Sequence, residues 1–539
     1  MGKDQDRREF LKATAAGFAA LTLFKDINGE LVNLIDADPY PELVEATISD
    51  LAAQMKAGKM TSRRLVEMYL ERIRIIDTRT CSVLELNPDA LTIADQMDKE
   101  RKKGRVRSRL HGIPILIKDN IETADQMHTT AGSWALLDAP TPKKDAFVAE
   151  RLRKAGAVIL GKTNLSEWAN FRSTKSISGW SGRGLQTNNP YFLDQNPCGS
   201  SSGSGVSVSA NLAAAAVGTE TNGSIICPSM TNGVVGLKPT VGLISRSGIV
   251  PIAHTQDTAG PMTRTVTDAA IMLTTLAGTD KSDTATADAD KHREKDYTHA
   301  LDLDGLKGAR LGLVLQYLPQ RTREVAMAFY KPFIDKIREA GATLVDVTFP
   351  DYSKAQQDRF DVLQYEFKTD LNKYLLARGS KYKTLEELIK FNDDNKDREL
   401  QVFGQEIFID SQKKGPLTDQ AYIDAVTRIK KATREDGIDA LLAKDKLDAF
   451  VGPTAGAAWS IAAVAGYPSI TVPLGLREIP GIPAQDKAAA IPASISTPGM
   501  FFFGTAWSEA KLLRYAYAFE QRTKARAVPQ FLPTYSKKA

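Results

Sequence analysis

Short apolar runs bounded by glycine and proline constrain the fold of this chain more than any other feature of its sequence. The runs at 113–117 and 157–160 have the length of buried strands. The second run follows the charged stretch 147–154, whose apolar residues have helical spacing, and a glycine lies between the two. Because helix, glycine and buried strand in succession are typical of α/β proteins, the sequence predicts an α/β fold.

Helical spacing of apolar residues marks two further parts of the chain. Residues 48–76 show it, with Thr61 or Ser62 as a candidate N-cap. The charge-rich residues 321–446 carry helical patterns and are predicted to form a helical insertion, whereas the polar residues 279–299 are predicted to form a surface connection. Further strands and a last helix are predicted at 309–315, 448–475, 493–504 and 510–522.

The composition indicates an ordinary globular protein that does not bind nucleic acid. Hydrophobic residues make up 42% of the 539 residues and charged residues 25%, both close to globular averages. The 70 basic and 65 acidic residues are mixed along the chain and give a formal charge of +5. No long basic run with interleaved aromatic residues is present. The length fits two domains or one large α/β domain with insertions.

The first residues of the chain have the pattern of an export signal. Arg7 and Arg8 precede the uncharged, alanine-rich stretch 13–24, which predicts a twin-arginine signal over residues 1–30 and a periplasmic or secreted protein. An amphipathic first helix is the alternative, and retention as an anchor stays open because no cleavage site is obvious. No other segment has the ~18 to 20 apolar residues that a membrane-spanning helix needs, so no stable span is predicted.

The three cysteines, Cys81, Cys198 and Cys227, allow one disulfide at most. The sequence leaves open whether Cys198 and Cys227 form it. Cys227 is also a candidate thiol nucleophile, although the sequence lacks a Glu-Lys-Cys arrangement that would support this role.

A Gly/Ser-rich segment at 198–205 is a candidate for chemistry rather than a linker, because the apolar and small-residue run 206–217 follows it directly. Residues 199–203 fit the G-x-S-x-G elbow of α/β-hydrolases, but that elbow needs a histidine downstream. Only His254, His292 and His299 follow it. A phosphate-binding loop of the Walker type is disfavoured because no Gly-Lys-Ser/Thr ends the segment.

Ser224, in the stretch VGTETNGSIICP, has no histidine nearby that could act as its base. Lysine can take that role, because burial lowers a lysine pKa by up to ~3 to 5 units and leaves a neutral amine. Lys118 and Lys162 both follow buried apolar runs. Pattern alone does not choose between them.

Six segments have distinctive residue patterns, namely GIPILIKDN (112–120), GKTNLSEW (161–168), CGSSSG (198–203), GTETNGS (218–224), GLKPT (236–240) and DTAGPM (257–262). Together they resemble the amidase signature family, and within it the sequence motifs are most similar to those of bacterial peptide amidases. The similarity is strong from about 111 to 278 and weaker over 448–520.

The resemblance implies a Ser-cisSer-Lys triad. Ser224 matches the nucleophile, Ser200 the bridging serine that follows a cis peptide bond, and Lys118 the base. Ser224 lies 24 positions after Ser200, which agrees with the family pattern and argues against Ser201 and Ser202 as the bridge. Lys118 would draw a proton from Ser224 through Ser200.

The resemblance also implies a loop that stabilises an oxyanion. The backbone N–H groups of Thr221, Asn222, Gly223 and Ser224 match this loop, and Ser201 is assigned with them to oxyanion or substrate binding. Most members of the family have a second glycine at the position of Asn222. Here a side chain occupies this part of the loop, and it either shapes the substrate pocket or caps a turn. Asp119, Asn120 and Asp257 are expected to support the catalytic residues rather than to take part in the reaction.

The fold that the resemblance implies is a large mixed β-sheet flanked by α-helices, with a helical N-terminal region and a central helical insertion. One amidase domain would span 31–539, with its signature core at 111–278, helical elaboration at 321–446 and a C-terminal return at 448–539. The pocket walls are expected from the insertion and from C-terminal segments that include Trp459 and residues 501–503.

The function that the resemblance implies is hydrolysis of a carboxamide, above all the C-terminal amide of peptides. Neither a metal nor another cofactor is implied. A small-molecule or peptide amide is the expected partner, and the protein is expected to be a monomer or homodimer. The alternatives are hydrolysis of aryl, fatty or cyclic oligomeric amides, a catalytically silent binding protein, and a component of a tRNA-dependent amidotransferase.

Overall fold

Strands from most of the chain join one mixed sheet, in which 11 strands fall within the described residues. The computed structural model describes residues 39–318, 320–478 and 495–531, together with the two-residue strands Phe24–Lys25 and Leu31–Val32. The predicted export motif at Arg7 and Arg8 lies outside them. The strands of the sheet are β1 (Val83–Leu86), β2 (Pro114–Lys118), β3 (Val158–Thr163), β4 (Ala215–Glu220), β5 (Val235–Lys238), β6 (Thr258–Thr263), β7 (Arg310–Val314), β8 (Thr343–Val347), β9 (Ala449–Pro453), β10 (Ser469–Pro473) and β11 (Gly499–Phe503).

The order of the strands in this sheet is β8-β7-β9-β11-β10-β5-β6-β4-β2-β3-β1. Strand β2 is parallel to both β3 and β4, and Ile117 is opposite Val217 in the register. Since parallel neighbours end at the same edge of a sheet, Lys118 at the end of β2 lies beside the last residues of β4. Other neighbours are antiparallel, including β4 with β6, which makes the sheet mixed as the resemblance implied.

α-Helices cover the sheet. They are α1 (Ile48–Lys56), α2 (Ser62–Thr80), α3 (Ala90–Lys102), α4 (Phe147–Lys154), α5 (Ser202–Ser209), α6 (Ile226–Thr231), α7 (Val266–Leu276), α8 (Ala289–His292), α9 (Arg323–Glu339), α10 (Ser353–Arg378), α11 (Leu385–Asp394), α12 (Lys396–Glu399), α13 (Glu406–Gln412), α14 (Gln420–Lys430), α15 (Asp439–Asp445), α16 (Gly456–Ala465) and α17 (Glu509–Thr523). A π-helical stretch, Lys431–Ile438, joins α14 to α15.

The predicted helix over 48–76 is two helices, α1 and α2. Gly58 between them has φ of 72°, a left-handed conformation that ends a helix and favours glycine. Thr61 is the N-cap of α2, and its side chain accepts a hydrogen bond from the Arg64 N–H. The predicted helix over 147–154 is confirmed as α4.

The central insertion is mainly helical, as predicted, but it also contains the edge strand β8. This strand pairs with β7 alone, in parallel register. Most of its residues are partly or fully exposed, so they lack the apolar run that predicts a buried strand. Within the insertion, α10, α11 and α13 pack their apolar faces against residues near Trp168 and Ile252 of the core. The insertion therefore lies over the region in which the candidate site residues meet.

Among the described helices, none combines the length and apolar character needed to cross a bilayer. The division into one domain over 31–539 stays a prediction.

Candidate active site

Lys118 is fully buried, and its amine lies against a serine hydroxyl. Its Nζ is 2.8 Å from Ser200 Oγ, 2.9 Å from Thr219 Oγ1 and 3.2 Å from the Thr219 carbonyl oxygen. The Asn120 side-chain amide donates to the same Thr219 hydroxyl over 3.0 Å. Residues from the ends of β2 and β4 thus surround the amine, with Ser200 as its remaining neighbour.

Burial lowers the pKa of Lys118 from 10.5 to about 7, because an ammonium ion loses its hydration inside the protein. The negative charges of Asp257 and Glu220 oppose this shift. A pKa near 7 gives the amine a large neutral fraction under physiological conditions, which a general base requires.

Ser200 lies in a tight turn that glycine makes possible. The Gly199–Ser200 peptide bond is cis, as the resemblance implied. A Cβ on Gly199 would lie 2.2 Å from Ser166 Oγ, so no larger residue fits there. The Ser200 carbonyl oxygen accepts a hydrogen bond from the Ser166 N–H over 3.1 Å.

The two serines that follow Ser200 make local contacts with the backbone. The Ser201 hydroxyl donates to the Thr219 carbonyl over 3.0 Å and accepts from the Thr219 N–H over 3.2 Å. The Ser202 hydroxyl donates to the Cys198 carbonyl over 2.6 Å. Of the three consecutive serines, Ser200 is the one whose hydroxyl meets Lys118. The assignment of Ser201 to oxyanion or substrate binding stays a prediction.

Ser224 lies in the loop that connects β4 to α6, where 7% of its surface is exposed. Its carbonyl oxygen accepts a hydrogen bond from the Ser201 N–H over 3.1 Å, which joins this loop to the Ser200 turn. The buried Glu220 carboxylate holds the other end of the loop, since one oxygen accepts from the N–H groups of Ile225 and Ile226 over 2.7 and 3.0 Å.

Gly223 sets the shape of the loop. Its φ is 81°, and a Cβ there would lie 2.5 Å from Nε1 of Trp459 on α16. Within the described part of the chain, the N–H groups of Asn222, Gly223 and Ser224 donate no hydrogen bond. Unpaired backbone donors are uncommon in folded proteins, so three in succession indicate a place for an external acceptor.

Hydrogen bonds of Asp257 and of the Asn222 side chain hold this loop in place. Asp257 accepts from the Thr221 hydroxyl over 2.5 Å and from the N–H groups of Ile252 and Ala253 over 2.8 and 2.9 Å. Burial raises the pKa of Asp257 to about 6. The Asn222 side chain donates to the Ser460 hydroxyl over 3.2 Å and so faces α16. Both residues position the loop.

A disulfide between Cys198 and Cys227 connects the Ser200 turn to the helix after Ser224. The sequence left this pairing open. A sulfur in a disulfide is no thiolate, so the alternative in which Cys227 attacks as a free thiol does not describe this structure. Cys81 does not take part in this disulfide.

The alternative bases lie away from the serines. Lys162 donates to the Ile121 carbonyl and, over 2.8 Å, to the Thr129 hydroxyl. The three histidines that could complete an α/β-hydrolase triad also have other partners. His254 Nδ1 is 2.8 Å from Asp370 Oδ2, the His292 ring stacks on Trp507 with centroids 4.4 Å apart, and His299 Nε2 is 3.7 Å from Asp296 Oδ2.

One group of three potential metal ligands occurs in the described residues, formed by His254, Glu366 and Asp370. His254 Nε2 is 3.5 Å from Glu366 Oε1, and Nδ1 faces Asp370. Burial lowers the pKa of His254, but Asp370 and Glu366 outweigh this effect and raise it overall. The arrangement therefore favours an imidazolium ion between two carboxylates.

A cavity of about 990 Å³ opens beside the candidate site. Its lining includes Asn120, Thr219 and Thr221, which contact or adjoin the candidate catalytic residues, whereas Lys118, Ser200 and Ser224 lie outside the lining. A cavity of this size accepts a ligand of several residues.

The wall of the cavity comes partly from the central insertion, since Asp370, Lys373 and Tyr374 on α10 line it. The expectation that residues 501–503 form part of the wall is wrong. They belong to β11, are fully buried and pair with both β9 and β10. Trp459 does face the candidate site, through Gly223.

Known proteins resemble this chain over nearly its whole length. A family model described as Amidase matches residues 64–513. The structure of a peptide amidase from Stenotrophomonas maltophilia superposes with a TM-score of 0.84 at 47% identity, covering 92% of this chain and 100% of that chain. A probable amidase from Arabidopsis thaliana is 41% identical over 90% of this chain and 92% of its own length. A component of the glutamyl-tRNA(Gln) amidotransferase from Thermoanaerobacter pseudethanolicus is 32% identical over 91% of this chain and 99% of its own length.

Proposed function

Because this chain belongs to the amidase family, we propose that it hydrolyses the C-terminal carboxamide of peptides through Lys118, Ser200 and Ser224. The observation that carries this proposal is the 2.8 Å separation between Ser200 Oγ and the buried amine of Lys118. As an amidase, the protein acts on amide C–N bonds. The triad and the peptide substrate are the parts that we add.

The contacts of Lys118 fit a neutral amine. Such an amine has two N–H donors and one lone pair, and Nζ has two acceptors on Thr219 in addition to Ser200 Oγ. With both N–H groups directed to Thr219, the lone pair faces the Ser200 hydroxyl and can accept its proton. Ser200 in turn would take the proton of Ser224, which makes the Ser224 oxygen nucleophilic.

The reaction then proceeds through an acyl-enzyme. The Ser224 oxygen attacks the carboxamide carbon, and the resulting oxyanion is stabilised by the unpaired N–H groups of Asn222, Gly223 and Ser224. The proton held by Lys118 returns through Ser200 to the leaving nitrogen, and ammonia departs as the C–N bond breaks. Water attacks the ester by the same relay, releasing the peptide acid and restoring Ser224.

The choice of a peptide amide is supported by the peptide amidase of Stenotrophomonas maltophilia, which shares 47% identity over 92% of this chain. The amidotransferase alternative has weaker support, because those relatives are 32% identical. The large cavity beside Thr219 and Thr221 also suits a chain of several residues.

Ammonia release from matched substrates tests this proposal. The panel contains an N-acetylated tripeptide amide, a free amino-acid amide, an aryl amide and a fatty amide. We expect the highest kcat/KM for the tripeptide amide, and no release from any substrate by Ser224→Ala. A preference for the aryl or fatty amide would reject the peptide substrate while keeping the reaction. Ser353→Ala, at an exposed residue that begins α10, is the control.

We also propose export through the twin-arginine pathway. The Cys198–Cys227 disulfide supports it, since disulfides persist in oxidising compartments such as the periplasm. Cell fractionation of the full chain and of a variant with Arg7→Lys and Arg8→Lys tests the proposal. Equal amounts of both proteins outside the cytoplasm would contradict it.

A further inference from the structure

Three lysines at the mouth of the large cavity have no carboxylate partner. The mouth lysines, Lys143, Lys144 and Lys373, line the cavity and are all exposed, so they mark the end that opens to solvent. Within the described residues, none of them forms an ion pair. Lys144 Nζ contacts the Ser282 hydroxyl over 3.4 Å, and this neutral partner leaves the ammonium charge unpaired.

The two segments that carry the mouth lysines are joined at Glu122. Its carboxylate accepts a hydrogen bond from the hydroxyl of Tyr374, which follows one of these lysines on α10, over 2.8 Å. Its carbonyl oxygen accepts from the Ala146 N–H over 3.0 Å, just after the other two lysines. A Cβ on Gly379, where α10 ends, would lie 3.8 Å from Pro140 Cγ. The end of α10 and the segment before Ala146 therefore border the same opening.

The carboxylates at this opening are already paired with cations. These pairs are Glu122 with Arg378 at 2.7 Å, Asp145 with Arg153 at 2.9 Å, Asp283 with Arg246 at 2.9 Å and Asp370 with His254 at 2.8 Å. The mouth lysines add three positive charges that no carboxylate of the lining offsets. The mouth of the cavity therefore has a net positive charge, which attracts anions.

The inner end of the cavity has the opposite charge. Asp257 and Glu220 line it beside Thr221, and neither forms an ion pair in the part of the chain that the structure describes. Glu220 is fully buried and Asp257 is half-buried. Burial raises the pKa of Asp257 to about 6, so this carboxyl is ionised at pH 8. A peptide that lies along the cavity thus extends from an acidic inner end to a basic mouth.

We propose that the mouth lysines bind a carboxylate on the third or fourth residue before the amidated residue of the substrate, whereas Asp257 and Glu220 repel one next to it. The inference rests on the proposed function. The cavity volume of about 990 Å³ equals that of a sphere about 12 Å across, which an extended peptide spans in three or four residues at ~3.3 Å each. With the amidated residue at Ser224, outside the lining, the third or fourth residue before it reaches the mouth.

The test measures kcat/KM at pH 8 for N-acetylated pentapeptide amides with one glutamate or one glutamine at each of the four positions before the amidated residue. In about 20 mM buffer we expect a glutamate-to-glutamine ratio of about three to ten at the third or fourth position. Next to the amidated residue the ratio should fall below one. In about 0.5 M sodium chloride both ratios should approach one, because the salt screens charges that lie more than a few ångströms apart.

Replacing the three mouth lysines together by glutamine should bring the ratio at the third or fourth position to about one. The matched control replaces three other exposed lysines by glutamine, Lys102, Lys103 and Lys307. These lie outside the cavity lining, and their replacement changes the net charge by the same amount. The control variant should therefore keep the ratio of the wild-type protein.

Two results overturn the inference. One is the same glutamate-to-glutamine ratio at all four positions in wild-type protein, a measurement that needs no variant to fold. The other is a preference for glutamate at the third or fourth position that the variant without the mouth lysines retains. In both cases the glutamine peptides are still hydrolysed and the proposed function stands, whereas failure to release ammonia from any of the pentapeptide amides rejects the proposed function as well.

Discussion

The activity of this amidase should rise with pH around neutrality, because its proposed base acts only as a neutral amine. With a pKa of about 7 for Lys118, about one molecule in eleven carries the neutral amine at pH 6 and about ten in eleven at pH 8. We therefore expect kcat/KM to increase about tenfold between pH 6 and pH 8. A lysine at its ordinary pKa of 10.5 would instead give activity that still rises above pH 9.

Burial is the main cause of the lowered pKa of Lys118. A pKa lowered from 10.5 to about 7 corresponds to about 5 kcal/mol of free energy against the ammonium form. Asp257 and Glu220 act in the opposite direction, since their charges favour the ammonium. Asp257→Asn should accordingly lower the pKa of Lys118, and the rise in kcat/KM should move to lower pH.

Initial rates of ammonia release from one peptide amide, at constant ionic strength between pH 5.5 and pH 9, measure this profile. Lys118→Met should lower kcat/KM by about a hundredfold or more at every pH. Lys162→Met is the matched control, because it removes a second buried lysine that contacts no candidate catalytic serine. Circular dichroism checks that both variants fold. A flat profile between pH 6 and pH 8, or full activity in Lys118→Met, would refute the reasoning.

Three further predictions concern the loop and the disulfide. Ser224→Ala should lower kcat at least about a thousandfold without changing the thermal unfolding midpoint much, because it removes the nucleophile and one small, nearly buried hydroxyl; a variant that still releases ammonia at the wild-type rate would exclude this serine. Gly223→Ala should lower kcat/KM about a hundredfold, since its Cβ would lie 2.5 Å from Nε1 of Trp459 and displace the loop; unchanged kinetics in a folded variant would show that the loop tolerates the shift. Replacing Cys198 and Cys227 by serine should lower the free energy of unfolding by about 3 to 4 kcal/mol, as expected for a sequence separation of 29 residues; denaturant titration measures this, and an unchanged midpoint would contradict it.

Local patterns predicted the parts of this fold whose causes are local. The apolar run before Lys118 and the amphipathic spacing of 147–154 have the lengths of a strand and a helix, and the structure forms both as β2 and α4. The edge strand β8 was missed, because its partly exposed residues lack an apolar run. The sequence motifs assigned Lys118 and Ser200 to the same catalytic triad, although 81 residues lie between them in the sequence.

Features that depend on distant contacts could not be predicted in the same way. The three aromatic residues at 501–503 have the composition of a pocket wall, yet β11 has a partner on each side and buries them completely. The ion pair between Asp358 and Arg428, at 2.7 Å, depends in the same way on how α14 packs against α10.

A lowered lysine pKa does not by itself identify the base of this enzyme. Burial lowers the pKa of Lys118 to about 7, and it lowers those of Lys162 and Lys238 to about 8. All three therefore have neutral fractions near neutrality, and a titration alone would not separate them. What separates them is the acceptor or donor that each amine meets. Lys162 donates to a carbonyl and a threonine hydroxyl, and Lys238 donates to the Pro239 carbonyl over 2.8 Å. The carbonyl that Lys238 meets has no proton to give, and the Thr129 hydroxyl beside Lys162 donates its proton to the Ile121 carbonyl over 3.2 Å. Of these three amines, only Lys118, 2.8 Å from Ser200 Oγ, meets a serine that can relay a proton.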